Sequence, residues 1–165
     1  MLIRRAVVED AAEACRAIRQ SIEILCLEDH DNDPDILAAW LANKMPSRVA
    51  SWITDNPDGV FVGVIDGKVA GFGDMLEGGR IVVNYVAPWA RFQGVSSGLL
   101  QAMEQQAIAV GVDCCSLRST GTAHRFYLAR GYEDSGPPTE SFGGKPAFPM
   151  HKVVGGDKEK EAVLF

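Results

Sequence analysis

Arg91, Gly94 and Ser96 stand between a strand-like apolar run, "RIVVNYV", and an amphipathic stretch, within the segment "APWARFQGVSSGLL" at residues 87–100. Small residues leading into a helix suit an anion. The first helical turn leaves several N–H groups without intrahelical partners, and the helix dipole is positive at that end. Gly94 lets the backbone bend sharply and come close to a ligand with no Cβ in the way. Ser96 is small enough to leave such a cradle open, and Arg91 adds a positive charge beside it. The alternative is an ordinary chain reversal. Two familiar phosphate loops do not apply: the segment has neither G-x-x-x-x-G-K-[ST] nor G-x-G-x-x-G, and no acidic residue stands where a ribose would need one.

A second group of ionisable residues is "EDHDNDPD", with Glu28, Asp29, His30, Asp31, Asp33 and Asp35. Asp29, Asp31 and Asp33 match the first positions of a calcium loop. Pro34 then stands where glycine must turn the chain, and Trp40 where the bidentate glutamate belongs, so an EF-hand is rejected and no metal is expected. The plain reading is a solvated connection between helices, with His30 a surface histidine. Cys15, Cys26, Cys114 and Cys115 show no C-x-x-C spacing and read as reduced packing residues, the adjacent pair alternating across a strand.

These residues need elements to hold them. "LIRRAV" reads as a strand, and "VEDAAEACRAIRQSIEILC" as a helix with Ala11, Ala14, Cys15, Ile18 and Ile22 at helical spacing. A second helical region covers residues 36–53, broken near Pro46, with Trp40 and Trp52 as core or pocket wall. "GVFVGVI", Asp66-Gly67 and "KVAGFGDML" form a hairpin pattern, and Gly78-Gly79 turns into the strand "RIVVNYV". Residues 95–110 carry a stripe of Val95, Leu99, Met103, Ala107 and Val110. After the strand "VDCCSLRS" comes the short helix "TAHRFYLAR", which Thr122 caps and Gly131 ends. "GYEDS" and "AFPMHKVV" are further strands, with Pro149 at an edge or a bulge. Hairpins mixed with strand–helix–strand crossovers indicate a mixed sheet under helices, an α/β domain.

Length and composition agree with one globular domain: 165 residues, 47% of them apolar and 23% charged. A net charge of −6 without a Lys/Arg cluster argues against nucleic acid, and no apolar run has the length of a membrane span. The N-terminus turns polar too early for a signal peptide, so a cytoplasmic protein is expected. The tail "GGDKEKEAVLF", at 155–165, stands apart from a domain at 1–154. An edge strand near Pro149 and the apolar "AVLF" make a homodimer plausible.

Two motifs together carry a resemblance. "VAPWARFQGVSSGLL" is similar to the V-x-P-x-x-[RQ]-x-x-G-x-[GA]-x-x-L segment of the GNAT acetyltransferases, with Val86, Pro88, Arg91, Gly94 and Leu99 in register. Ser96 departs from the usual Gly or Ala, and Phe92 stands where many members have Gly. One strand later, "TAHRFYLARGY" resembles the family's A-x-x-F-Y-x-x-x-G-[FY], with Ala123, Phe126, Tyr127, Gly131 and Tyr132 in place. The resemblance spans residues 2–153. It implies the GNAT fold, a mixed and mostly antiparallel sheet of six to seven strands flanked by about four helices.

It also implies acetyl-CoA as co-substrate. The implied contacts are Tyr85 and Val86 on a strand that splays from its neighbour, Arg91, Phe92, Gln93, Gly94, Val95, Ser96 and Ser97 around the pyrophosphate, and Thr120 and Phe126 beyond it. A backbone N–H near Val86 would stabilise the oxyanion, and Tyr127 occupies the position of the general acid that protonates the leaving thiolate. The reaction implied is direct transfer of acetyl to a primary amine of a small molecule or peptide. The family places the segment between its first two helices beside the acceptor, so the acidic run would favour a cationic amine. Asn84 and Tyr85 are poor bases, which leaves Glu77, His30, Asp31 or an ordered water. The alternatives are a non-catalytic CoA or acyl-CoA sensor, and a transferase using a longer acyl donor.

Overall fold

The computed structural model describes residues 1–156, so the expectation for the tail lies largely outside the described residues. Within them eight strands form one sheet: β1 (Leu2–Arg5), β2 (Val60–Ile65), β3 (Lys68–Leu76), β4 (Arg80–Val86), β5 (Cys114–Thr120), β6 (Glu133–Asp134), β7 (Thr139–Glu140) and β8 (Pro146–Val153). Their order is β1-β2-β3-β4-β5-β8-β6, and β7 also pairs with β8. All these pairings are antiparallel except β4 with β5. The expected mixed, mostly antiparallel α/β fold is therefore present. The strand beyond the expected six or seven is β7, two residues inside a glycine- and proline-rich stretch with no periodicity to reveal it. At the β2–β3 turn, Asp66 and Gly67 both have positive φ, as a two-residue hairpin requires.

Among the described residues six α-helices flank the sheet: α1 (Ala11–Gln20), α2 (Leu27–His30), α3 (Pro34–Leu41), α4 (Pro46–Asp55), α5 (Val95–Ala109) and α6 (Gly121–Leu128). Ile18, Ile22, Trp40, Val49 and Ile53 pack with Val62 and Phe72 in one core layer. Leu99, Met103, Leu117, Tyr132 and Met150 anchor the other. Pro34 and Pro46 open α3 and α4, where a missing N–H costs nothing. Asp33 caps α3 by accepting from the amides of Asp35 (2.9 Å) and Ile36 (3.2 Å).

Several local expectations are corrected. The first helix loosens after Gln20 into a π turn, Ser21–Leu25. The run at 28–35 is a solvated connection only in part: α2 covers its start and buries Asp29 and His30, whereas Glu28 and residues 31–35 are exposed. Thr120, not Thr122, caps α6, its side-chain oxygen accepting from the Ala123 amide at 3.3 Å. The α5 stripe stops at Ala107, because Val110 ends the helix and is exposed. Pro149 is not on an edge strand, since β8 is paired on both sides. Its carbonyl accepts from the Ser135 N–H (2.9 Å), so its missing N–H faces the side where the partner changes from β6 to β7.

Candidate active site

The parallel strands β4 and β5 are paired at one position only, Arg80 with Ser116, and then diverge. The Ala87 N–H donates to Ala70 O at 2.7 Å, toward β3. Backbone groups alternate sides along a strand, so the N–H and C=O of Val86 point the other way, into the opening. A cleft of about 490 Å³ forms there, within the usual range for small-molecule sites. Its walls come from the ends of β4 and β5, the start of α5, α6, and the π turn with Cys26.

Gly94 precedes α5 at φ +81°, and the bond from the Gly98 N–H to Gly94 O (2.9 Å) is the first of that helix. The amides of Val95, Ser96 and Ser97 thus belong to the first turn, where no intrahelical acceptor exists. Gly71 on β3 lets this end of α5 sit close to the sheet, for a Cβ there would lie 2.7 Å from Val95 Cγ1. The carboxamide Nδ2 of Asn84 donates to Ser96 O at 3.3 Å, joining β4 to the same turn.

The structure brings together eleven of the twelve residues expected at the site. Tyr85, Val86, Arg91, Phe92, Gly94, Val95, Ser96, Ser97, Thr120, Phe126 and Tyr127 all line this cleft. Gln93 does not. Its amide N–H donates to Ala90 O at 3.4 Å, and its Nε2 to Trp89 O at 3.1 Å. Residues that sequence reasoning missed complete the wall, among them Ser21, Leu25, Cys26, Thr122 and Arg130. The guanidinium of Arg130 donates to Ser97 Oγ from Nε (2.9 Å) and Nη2 (2.5 Å) and lies 3.8 Å from the Phe126 ring centroid. Reading "TAHRFYLAR" as one helix sets Arg130 four residues after Phe126, on the same face, which was the available signal, although α6 itself ends at Leu128.

The Tyr127 ring is clamped edge-on between Phe126 and Tyr132. Burial pushes its hydroxyl up to about 12, with the neighbouring Asn84 carboxamide pulling the other way. Asn84 Oδ1 is buried without a hydrogen-bond partner among the described residues, an acceptor left over for a donor that a ligand brings. Burial likewise raises the Tyr85 hydroxyl, which accepts from Trp40 Nε1 at 3.2 Å. The Cys26 thiol is pushed up to about 12, first by burial and then by the nearby Asp29 carboxylate. It is protonated at neutral pH and is no ready nucleophile.

None of the proposed side-chain bases reaches this cleft. His30 is fully buried: Nδ1 accepts from the Asn32 N–H at 3.0 Å, so its proton is assigned to Nε2, which donates to Ile22 O at 3.0 Å. Asp31 pairs with Lys145 at 2.5 Å, and Glu77 is exposed at the far end of β4. Asp29 bonds to Gly121 and Thr122, and Asp33 caps α3. The acidic run is therefore largely spent on structure, and among the described residues no Asp, Glu or His lines the cleft.

The family described as acetyltransferase (GNAT) domain matches residues 28–154 of the chain. In structure the chain is similar to a GCN5-related N-acetyltransferase from Rhodopseudomonas palustris, with TM-score 0.82, 24% identity, and 93% of this chain and 95% of that one covered. It is also similar to the PaiA N-acetyltransferase from Thermoplasma acidophilum in complex with coenzyme A (TM-score 0.72, 16% identity, 92% and 98% covered). A third likeness is to the GphF GNAT-like decarboxylase in complex with isobutyryl-CoA (TM-score 0.66, 14% identity, 93% and 100% covered). No curated protein sequence matches the chain.

Proposed function

The chain belongs to the GNAT acetyltransferase family, and on that premise we propose that it moves acetyl from acetyl-CoA directly to the primary amine of a small molecule or peptide. The observation that carries this reading is the meeting of three features in one cleft. These are the unpaired first-turn amides of α5, the inward-facing backbone of Val86, and the buried Tyr127 hydroxyl. Neighbours of the same fold are complexed with coenzyme A or isobutyryl-CoA, which supports the choice of co-substrate.

Acetyl-CoA supplies an activated acetyl thioester with a thiol leaving group. The amides of Val95, Ser96 and Ser97, with Gly94 opening the backbone and Arg91 and Arg130 adding charge, would hold its pyrophosphate. The free edge of β4 and the spare Oδ1 of Asn84 would pair with its amide arm. The Val86 N–H, facing into the opening, would stabilise the negative charge that develops on the thioester carbonyl oxygen. Tyr127 gives its proton to the departing sulfur, and its raised pKa keeps that proton in place at neutral pH. Among the described residues no Asp, Glu or His stands on the wall, and water would take the amine's proton. The wall toward the π turn includes Ser21, Leu25 and Cys26, which carry no charge. The site, its co-substrate and a cytoplasmic setting are parts of this proposal.

Thermal unfolding with acetyl-CoA, CoA and NADH tests it first. Acetyl-CoA at a hundred times its Kd should add about 2.7 kcal/mol, and NADH nothing. Tyr127→Phe should then keep that shift and lose about 10²–10⁴-fold in thiol release with an accepting amine. Thiol release unaffected by Tyr127→Phe would remove the acid from the mechanism.

A further inference from the structure

Phe92 is the least expected residue on the cleft wall. Its φ is +65°, in the left-handed region that favours glycine, and the residue is 90% exposed. A buried aromatic would offset such strain by packing, but this ring packs against no other aromatic among the described residues. Its one notable neighbour is the Arg91 guanidinium, 4.5 Å from the ring centroid. Backbone strain on a cleft wall is worth a functional reading when the side chain gains nothing from the fold.

The geometry points to Phe92 as a stacking platform for the purine base of the nucleotide half of acetyl-CoA, with Arg91 covering one side of the ring and the other left for the base. This rests on the acetyl-CoA reading of the same cleft. The ring grows from the second residue of the turn at 91–94, just before the amides that would hold the pyrophosphate, and a ribose is all that separates that group from the base. A free aromatic face beside a cationic loop is the combination that holds unpaired bases without regard to their hydrogen-bonding edge. Phe92 would then make affinity depend on the nucleotide, in addition to the anion cradle and the arm-binding strand.

The test compares wild type, Phe92→Gly and Phe92→Trp by calorimetric binding of acetyl-CoA and of S-acetylpantetheine, which lacks the nucleotide. Glycine adopts this φ without strain, so that variant folds. Phe92→Gly should weaken acetyl-CoA by about fivefold to a hundredfold, the span of one base–aromatic stack. S-acetylpantetheine should change less than about twofold, and Phe92→Trp should restore acetyl-CoA affinity. Unchanged acetyl-CoA binding in Phe92→Gly, or equal loss for both ligands, would overturn the platform. Wild type that binds neither ligand would instead overturn the parent reading, and that is seen before any variant is made.

Discussion

Asp29 accepts a hydrogen bond from the Gly121 N–H at 3.0 Å, across 92 residues of sequence, and a second from the Thr122 hydroxyl. One buried carboxylate thereby ties α2 to the first turn of α6, the helix that carries Phe126 and Tyr127. An acidic side chain at a helix N-terminus is also favoured by the dipole. Asp29 touches none of the reacting groups, so it acts by positioning.

Asp29→Ala leaves an N–H and a hydroxyl unpaired in a buried place, at a cost of about 1–3 kcal/mol. At about 2–4 °C per kcal/mol, the unfolding midpoint should fall by several degrees. Below that midpoint kcat should drop more than KM for acetyl-CoA rises, because the α5 cradle is untouched while α6 carries Tyr127. Asp29→Asn keeps an acceptor for Gly121 and should recover most of both losses. Calorimetry and steady-state kinetics on the two variants decide the point; a change in acetyl-CoA KM alone would contradict it.

The pH profile of kcat follows from Tyr127. An unperturbed tyrosine ionises near 10, and burial pushes this one up to about 12. The acid must be protonated to act, so activity is lost only as pH rises through the higher value. Between pH 8 and about pH 10.5 the profile should therefore show no downward limb from this group. A fall centred near pH 10 would assign the proton to a less buried donor.

Direct transfer predicts indifference to thiol modification. Cys114 is exposed, whereas the Cys26 and Cys115 thiols are raised to about 12 and about 11, chiefly by burial. Reactivity follows the thiolate. Iodoacetamide at neutral pH should label Cys114 first and Cys26 last, as peptide mass spectrometry would show, and the singly labelled protein should keep its turnover. A Cys114→Ser variant that loses turnover while still binding acetyl-CoA would mean a covalent intermediate.

Local chemistry was legible in the sequence where one segment holds all of it. The Gly94 turn, the helix it opens and the Asp66-Gly67 hairpin need only neighbouring residues, and each could be read from them. Arg130 and Ser97 meet across 33 residues, and Trp40 and Tyr85 across 45, so neither pair shows any periodicity. The acidic run misled for a related reason. Five carboxylates in eight residues look solvated, yet the partners of Asp29 and Asp31 lie on distant segments that only the fold brings near. Phe92 was visible as a departure from a glycine position, but its cost became clear only from the backbone angle.

His30 separates a structural histidine from a catalytic one. Its ring lies wholly inside, accepting from the Asn32 N–H and donating to Ile22 O at the π turn, and it does not line the cleft. His30→Ala removes both bonds and opens a cavity beside Trp40, whose ring packs edge-on at 6.4 Å. The expected cost is about 2–4 kcal/mol, taking the two unpaired backbone groups and the lost packing together. That places the unfolding midpoint roughly 5–15 °C lower. Turnover measured well below the new midpoint should change by less than about threefold, since removing a general base typically costs 10²–10⁴-fold. A stable His30→Ala protein with turnover reduced by such a factor would return the histidine to the chemistry and displace water as the proton acceptor.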